Sequence, residues 1–251
     1  MPSAAGSTAR PSARGHESSS RGRRVQPRRG AGPASQRVRA AALVAARASS
    51  RSEPPRLPRV GVLGLQGDFA LHAEALAAVG CEAVRVSLPE HLSGIEALVL
   101  PGGESSTMLR LLDSTGLRAG IETFVRRKPT LGTCAGLILL AREADRLPRP
   151  TLAALDITAE RNAWGRQVHS FTDAVDVPAL GAPIEGVFIR APRIRRVGRG
   201  VQVFATYRGE PVGVRRGHIA AISFHPELTP DRRLHEWFVR EVAGLVASRT
   251  A

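Results

Sequence analysis

PTLGTCAGLILLARE, residues 129–143, opens as a short apolar strand and runs without a linker into a helical stretch. The join is Gly132-Thr133-Cys134-Ala135-Gly136. Small residues on either side let the chain turn so tightly that the Cys134 side chain projects from a strained strand-to-helix corner, the thiol counterpart of a nucleophile elbow. A helix N-terminus facing the sulfur favours thiolate, and the Ala135 backbone N–H is left for an oxyanion. The alternative is a buried structural cysteine, which is how most free cysteines behave. The elbow spacing favours a nucleophile at Cys134. Cys81 has no such turn and keeps the structural role.

Outward from this corner the chain alternates strand and helix. VGVLGLQ (60–66), CEAVRVS (81–87) and IEALVLP (95–101) are apolar runs suited to strands buried on both faces. Helical patterns occupy residues 68–79, ended by Gly80, and about 105–113 and 117–127. Such alternation with Gly-rich junctions predicts an α/β fold, an open, mostly parallel sheet with helices on both faces. Residues 155–225 read instead as short strands, among them 186–191, 201–207, 211–216 and 218–224, expected as hairpins and edge strands of the same sheet. A closing helix is expected from Asp231 to Ala247, with Leu234, Trp237, Phe238, Val242 and Leu245 on one face.

Reactive groups in open α/β sheets collect at the carboxyl ends of the strands. One such end is Ser223-Phe224-His225-Pro226-Glu227. Read as an extended segment, it puts residues i and i+2 on the same side, so Glu227 orients the His225 imidazole. Nucleophile, base and orienting acid are the parts of a triad. The other six histidines show no comparable partner in sequence and are read as surface or core residues. Another strand end is Leu100-Pro101-Gly102-Gly103-Glu104-Ser105-Ser106-Thr107, where a Gly-Gly pair lets backbone N–H groups approach a ligand ahead of a helix start. It lacks the Gly-Lys-Ser/Thr of a phosphate loop, and the glycines at 61–67 do not have dinucleotide-fingerprint spacing.

The 251 residues carry a net charge of +14, which on its face suggests nucleic acid or a membrane surface. Residues 1–59, however, hold thirteen arginines against two acids, so +11 resides there and the rest carries +3. That segment is Arg-, Ser-, Ala-, Pro- and Gly-rich without aromatics, a composition expected to stay disordered, and the domain is expected over 60–251. The segment fits a nucleic-acid-binding arm, a transit peptide, or a start codon assigned too far upstream in GC-rich DNA. The single lysine, Lys128, favours the last. Two cysteines exclude a disulfide framework and a four-thiolate zinc site, and no apolar run approaches the roughly 20 residues of a membrane span. A cytoplasmic setting is expected.

Taken together, GLQGD (64–68), LPGGESSTM (100–108), GTCAGLILLA (132–141), ERNAWGRQVHSF (160–171), VFIRAP (187–192) and SFHPELT (223–229) resemble the glutaminase subunits of pyridoxal 5′-phosphate synthases, within the class I (triad) glutamine amidotransferases. The resemblance runs in unbroken order from Val60 and has no counterpart for the arginine-rich segment. It implies a flavodoxin-like fold and hydrolysis of L-glutamine to glutamate and ammonia, with Cys134 as nucleophile, His225 as base then acid, and Glu227 orienting it. It implies glutamine binding by Gly102, Gly103, Glu104, Arg161, Ile189 and Arg190, and an oxyanion held by the Gly103 and Ala135 N–H groups. Gln66 matches a position associated with activation at the partner interface. The implied partner is a (β/α)₈ barrel synthase, in a ring of twelve synthase and twelve glutaminase subunits, on which full activity depends. No metal or cofactor is implied. A triad hydrolase or peptidase on a similar sheet, and a glutaminase serving imidazole or purine synthesis, are the rival readings. Arg161 and the GGES loop speak against the first, and IRAP together with ERN…GRQ speaks against the second.

Overall fold

In the computed structural model, residues 56–67, 69–164 and 170–245 are described. The arginine-rich segment up to residue 55, Asp68 of GLQGD, residues 165–169 of the ERN…SF stretch and the last expected helical residues 246–247 lie outside them. Seven strands form the main sheet: β1 (Arg59–Leu63), β2 (Glu82–Val86), β3 (Ala97–Leu100), β4 (Thr130–Thr133), β10 (Gln202–Tyr207), β11 (Glu210–Arg216) and β12 (Ile219–Ile222). Their order is β10-β11-β12-β4-β3-β1-β2. From β2 to β12 every neighbouring pair is parallel, while β12–β11 and β11–β10 are antiparallel. The mostly parallel α/β sheet expected from the sequence is therefore present, with a two-stranded antiparallel edge.

Helices cover both faces because the strands are apolar on both. Along β3, Ala97 and Val99 point to one core and Leu98 and Leu100 to the other, all fully buried. Each such leucine contributes about 2 kcal/mol of burial. The first face receives α1 (Phe69–Ala78) and α5 (Arg233–Trp237); the second receives α2 (Ser105–Ser114), α3 (Leu117–Val125) and α4 (Ala135–Leu140). No helix among the described residues is long and apolar enough to cross a membrane.

Three expectations are corrected. The strands of residues 155–225 do not all join the main sheet. β6 (Leu155–Glu160) and β9 (Arg193–Val197) form a separate three-stranded sheet with β5 (Ala141–Ala144), and β7 (Phe171–Val175) pairs with β8 (Ile184–Phe188) as a hairpin. Alternation shows which face of a strand is apolar, not which sheet it will join. The helix after Cys134 stops at Leu140, and residues 141–144 become β5. Its terminal carbonyls are taken by another segment, through Leu152 N–H to Leu139 O (2.8 Å) and Ala154 N–H to Leu140 O (2.9 Å). The closing helix keeps α-geometry only to Trp237, and Phe238–Val242 continues as a π-helical turn closed by Ala243 N–H on Phe238 O, 2.8 Å. Strand β1 starts at Arg59, one residue before the expected domain boundary.

Candidate active site

Strands β4 and β12 lie side by side and parallel, pairing Thr133 with Ile222, so the residues leaving their carboxyl ends meet. The first residue beyond β4 is Cys134. Its backbone has φ 49° and ψ −102°, a conformation costly for a side-chain-bearing residue, and its N–H donates to Ile222 O at 2.9 Å. This is the strained corner expected from Gly-x-Cys-x-Gly. Gly136 is required by close approach, since a Cβ there would lie 1.9 Å from the Leu100 carbonyl oxygen. Ala135 opens α4, so its N–H has no acceptor within the helix. Cys134 is 6% exposed, and its Sγ faces Ile189 O at 3.9 Å.

Beyond β12 the chain reaches His225, whose N–H donates to Val187 O at 2.9 Å. His225 Nδ1 lies 2.7 Å from Glu227 Oε1. The contact is made differently from the expectation. Pro226–Leu228 is a tight 3₁₀ turn, not an extended segment, with Pro226 fixing its first dihedral. Burial opposes charge on His225, but the neighbouring Cys134 sulfur and the Glu227 carboxylate outweigh that and raise its pKa to about 10. Burial likewise opposes charge on Glu227, and the His225 hydrogen bond together with the His72 imidazole nearby overrides it, holding the carboxyl far below the ordinary range. A base paired with both a sulfur and a buried carboxylate is equipped to move a proton at the sulfur. Cys81, by contrast, is buried away from this site, and burial with nearby Glu96 raises its thiol pKa to about 11.

A small cavity of about 70 Å³ opens on Cys134 and is lined by Gly103, Glu104, Arg161, Ile189 and Arg190, among others. Five of the six expected glutamine-binding residues thus meet the sulfur in one place. The sixth, Gly102, borders an adjoining cavity of about 380 Å³ with Gly67, Cys134 and His225. Glu104 caps α2, accepting from Ser106 N–H (3.0 Å) and Thr107 N–H (2.6 Å). Burial opposes its charge, but these bonds together outweigh that and lower its pKa to about 2. Arg161 donates through Nη2 to Glu104 Oε1 at 3.0 Å and through Nη1 to Arg146 O at 2.7 Å, which fixes the guanidinium at the cavity wall. Gln66 Oε1 is buried without a hydrogen-bond partner, in the loop that packs Gly67 against Gly102.

Sequence reading missed Ser105, Asn162, Ile138 and His72 at the site. Asn162, at φ 51°, and Ile138 line the cavity. Asn162 adjoins Arg161 in the same motif, and Ile138 is one helical turn past Cys134, so spacing could have found both. His72 touches Glu227, with Nε2 at 3.4 Å from Oε2, which corrects the reading of the remaining histidines as lacking a partner. No local signal marks it, because 155 residues separate the pair.

The model of the SNO glutamine amidotransferase family matches residues 62–244. The chain is 48% identical over 186 residues to the pyridoxal 5′-phosphate synthase subunit PdxT of Thermotoga maritima, covering 73% of this chain and 99% of that one. It is 49% identical over 185 residues to the PdxT subunit of Geobacillus kaustophilus, covering 73% and 94%. A crystal structure described as a glutamine amidotransferase superposes with a TM-score of 0.70 at 48% identity, covering 74% of this chain and 99% of the other. PurLQS from Thermotoga maritima, at 16% identity and a TM-score of 0.58, shares the fold.

Proposed function

Since the chain belongs to the SNO glutamine amidotransferase family, we propose that it is the glutaminase subunit of a pyridoxal 5′-phosphate synthase, hydrolysing L-glutamine and passing the ammonia on. The observation that carries the reading is the strained Cys134 corner facing the same cavity as His225, with Glu227 bonded to the imidazole from behind. The high identity to PdxT subunits over nearly their whole length supports the substrate.

In this mechanism the Cys134 thiolate attacks the side-chain amide carbon of glutamine. The tetrahedral oxyanion is held by the Gly103 and Ala135 N–H groups. His225, kept protonated by its two partners, gives its proton to the departing ammonia, leaving a thioester on Cys134. Neutral His225 then takes a proton from water, which attacks the thioester and releases glutamate. Glu227 keeps the imidazole aimed. Arg161 supplies charge for the substrate α-carboxylate, with Gly102, Glu104, Ile189 and Arg190 shaping the remaining wall. Ammonia passes to a (β/α)₈ barrel synthase subunit, in an assembly of twelve copies of each, and Gln66 lies in the loop that senses the docked partner. A cytoplasmic setting fits a chain whose two cysteines are both free.

The test is Cys134→Ala, assayed with the synthase subunit present. Ammonia release from glutamine is expected to fall to background while the circular dichroism spectrum stays that of the parent. Turnover retained by the variant overturns the assignment.

A further inference from the structure

Behind the His225–Glu227 pair, outside both cavities, lies a second chain of buried polar side chains. His72 stands in the otherwise mostly apolar α1 and is fully buried. Its Nε2 is 3.4 Å from Glu227 Oε2, an oxygen with no other polar partner, and 3.3 Å from Thr133 Oγ1, the residue before the nucleophile. Its Nδ1 is 3.2 Å from Nε2 of His235, on α5, which is also fully buried. Burial, with His72 and Arg232 adding to it against Glu227, lowers the His235 pKa to about 3, so that ring is neutral and has one N–H. Its Nδ1 has no hydrogen-bond partner. An unpaired buried acceptor is tolerated better than an unpaired N–H. The His235 proton therefore sits on Nε2 and is donated to His72 Nδ1. That places the His72 proton on Nε2, facing Glu227 and Thr133.

Glu227 is thus a buried carboxylate between two imidazoles, His225 on Oε1 and His72 on Oε2. A buried carboxylate is stable only when its charge is met on more than one side. The ionisable groups facing His72 are Glu227, with His225 behind it, and His235, with Arg232 at the head of α5. We propose that His72 is a positioning residue for the reaction, its Nε2–H fixing the second oxygen of Glu227 so that the first stays aimed at His225. The inference rests on reading Cys134, His225 and Glu227 as the triad.

The test compares two amide substitutions in the full chain. His72→Gln puts an amide near the position of Nε2 and keeps the contact to Glu227. His72→Asn puts it near Nδ1 and keeps only the contact to His235. Glutamine turnover is measured with the synthase subunit present. The pH at which iodoacetamide alkylates Cys134 at half its maximal rate is measured on the chain alone, with Cys134→Ala as the blank for Cys81. H72Q is expected to keep kcat within about threefold of the parent and H72N to lose about tenfold, with KM changed less than about twofold in both. In H72N the alkylation midpoint rises by roughly half a pH unit or more, because a loosened Glu227 supports the His225 charge less. Equal kcat in the two variants, or an unmoved midpoint in H72N, overturns the proposal. Parent enzyme that releases no ammonia fails the glutaminase reading instead, and the alkylation comparison still decides the role of His72.

Discussion

His235 shows how a single buried side chain makes stability depend on pH. Its pKa is near 6.5 when unfolded and about 3 when folded, so its contribution is complete above pH 6.5 and is lost as pH falls through the window between them. His225 has the opposite sign. Its folded pKa is raised, so its contribution is full below pH 6.5 and is lost only as pH rises toward about 10. Glu227 begins to titrate in the unfolded chain near 4.5. Between pH 6.5 and 4.5, then, the change belongs to His235. Urea unfolding of the parent is expected to lose about 2 kcal/mol across that interval, and His235→Phe to lose much less. Parallel pH curves for the two proteins would show that the ring is not held neutral. At this scale the sequence was legible where the signal is local. Cys134 and the His225–Glu227 pair announce themselves through the residues beside them, whereas His72 and His235 acquire their partners only when α1 and α5 fold onto the same face of the sheet.

Among elements, the β7–β8 hairpin is held by backbone bridges from Asp176 to Thr206 and from Val187 to His225, and by the packing of one aromatic ring. Phe188, fully buried, stacks on Phe171 with centroids 4.7 Å apart and planes 10° from parallel, and it also packs on Tyr207 at 5.2 Å and Phe224 at 5.7 Å. Tyr207 belongs to β10 and Phe224 follows β12, so this ring joins the hairpin to the main sheet. Phe188→Ala is expected to cost about 3–5 kcal/mol in denaturant unfolding. Because Ile189 and Arg190 follow directly, the variant is also expected to raise KM for glutamine. A loss below about 1 kcal/mol would mean that the hairpin is held by other contacts. The strands of the first half were readable because each is an apolar run bounded by glycine and followed by a helix. Those of the second half were found as strands but not assigned to sheets, since pairing is decided by neighbours distant in sequence. The same reason ends α4 at Leu140, where residues 152 and 154 capture its carbonyls.

For the whole molecule, the net +14 divides into +11 on residues 1–59 and +3 on the rest, and the family match begins at residue 62. Most of the charge that first suggests nucleic acid thus precedes the family match in the sequence. A chain starting at residue 56 is expected to keep glutamine turnover within about twofold of the full chain. It is also expected to show no salt-dependent retention of random duplex DNA, since few phosphates would be neutralised by so balanced a surface. Turnover lost with the segment, or DNA binding that survives its removal, would make the opposite case. The adjacency of β4 and β12 has a further consequence, in time. Cys134 is translated 91 residues before His225, and the carbonyl that anchors its corner belongs to Ile222. At ordinary synthesis rates that gap is roughly 5 to 20 seconds. Throughout it the nascent thiol has neither its base nor its anchor. Until β12 pairs with β4, Cys134 lacks both the imidazole that would activate it and the carbonyl that holds its corner.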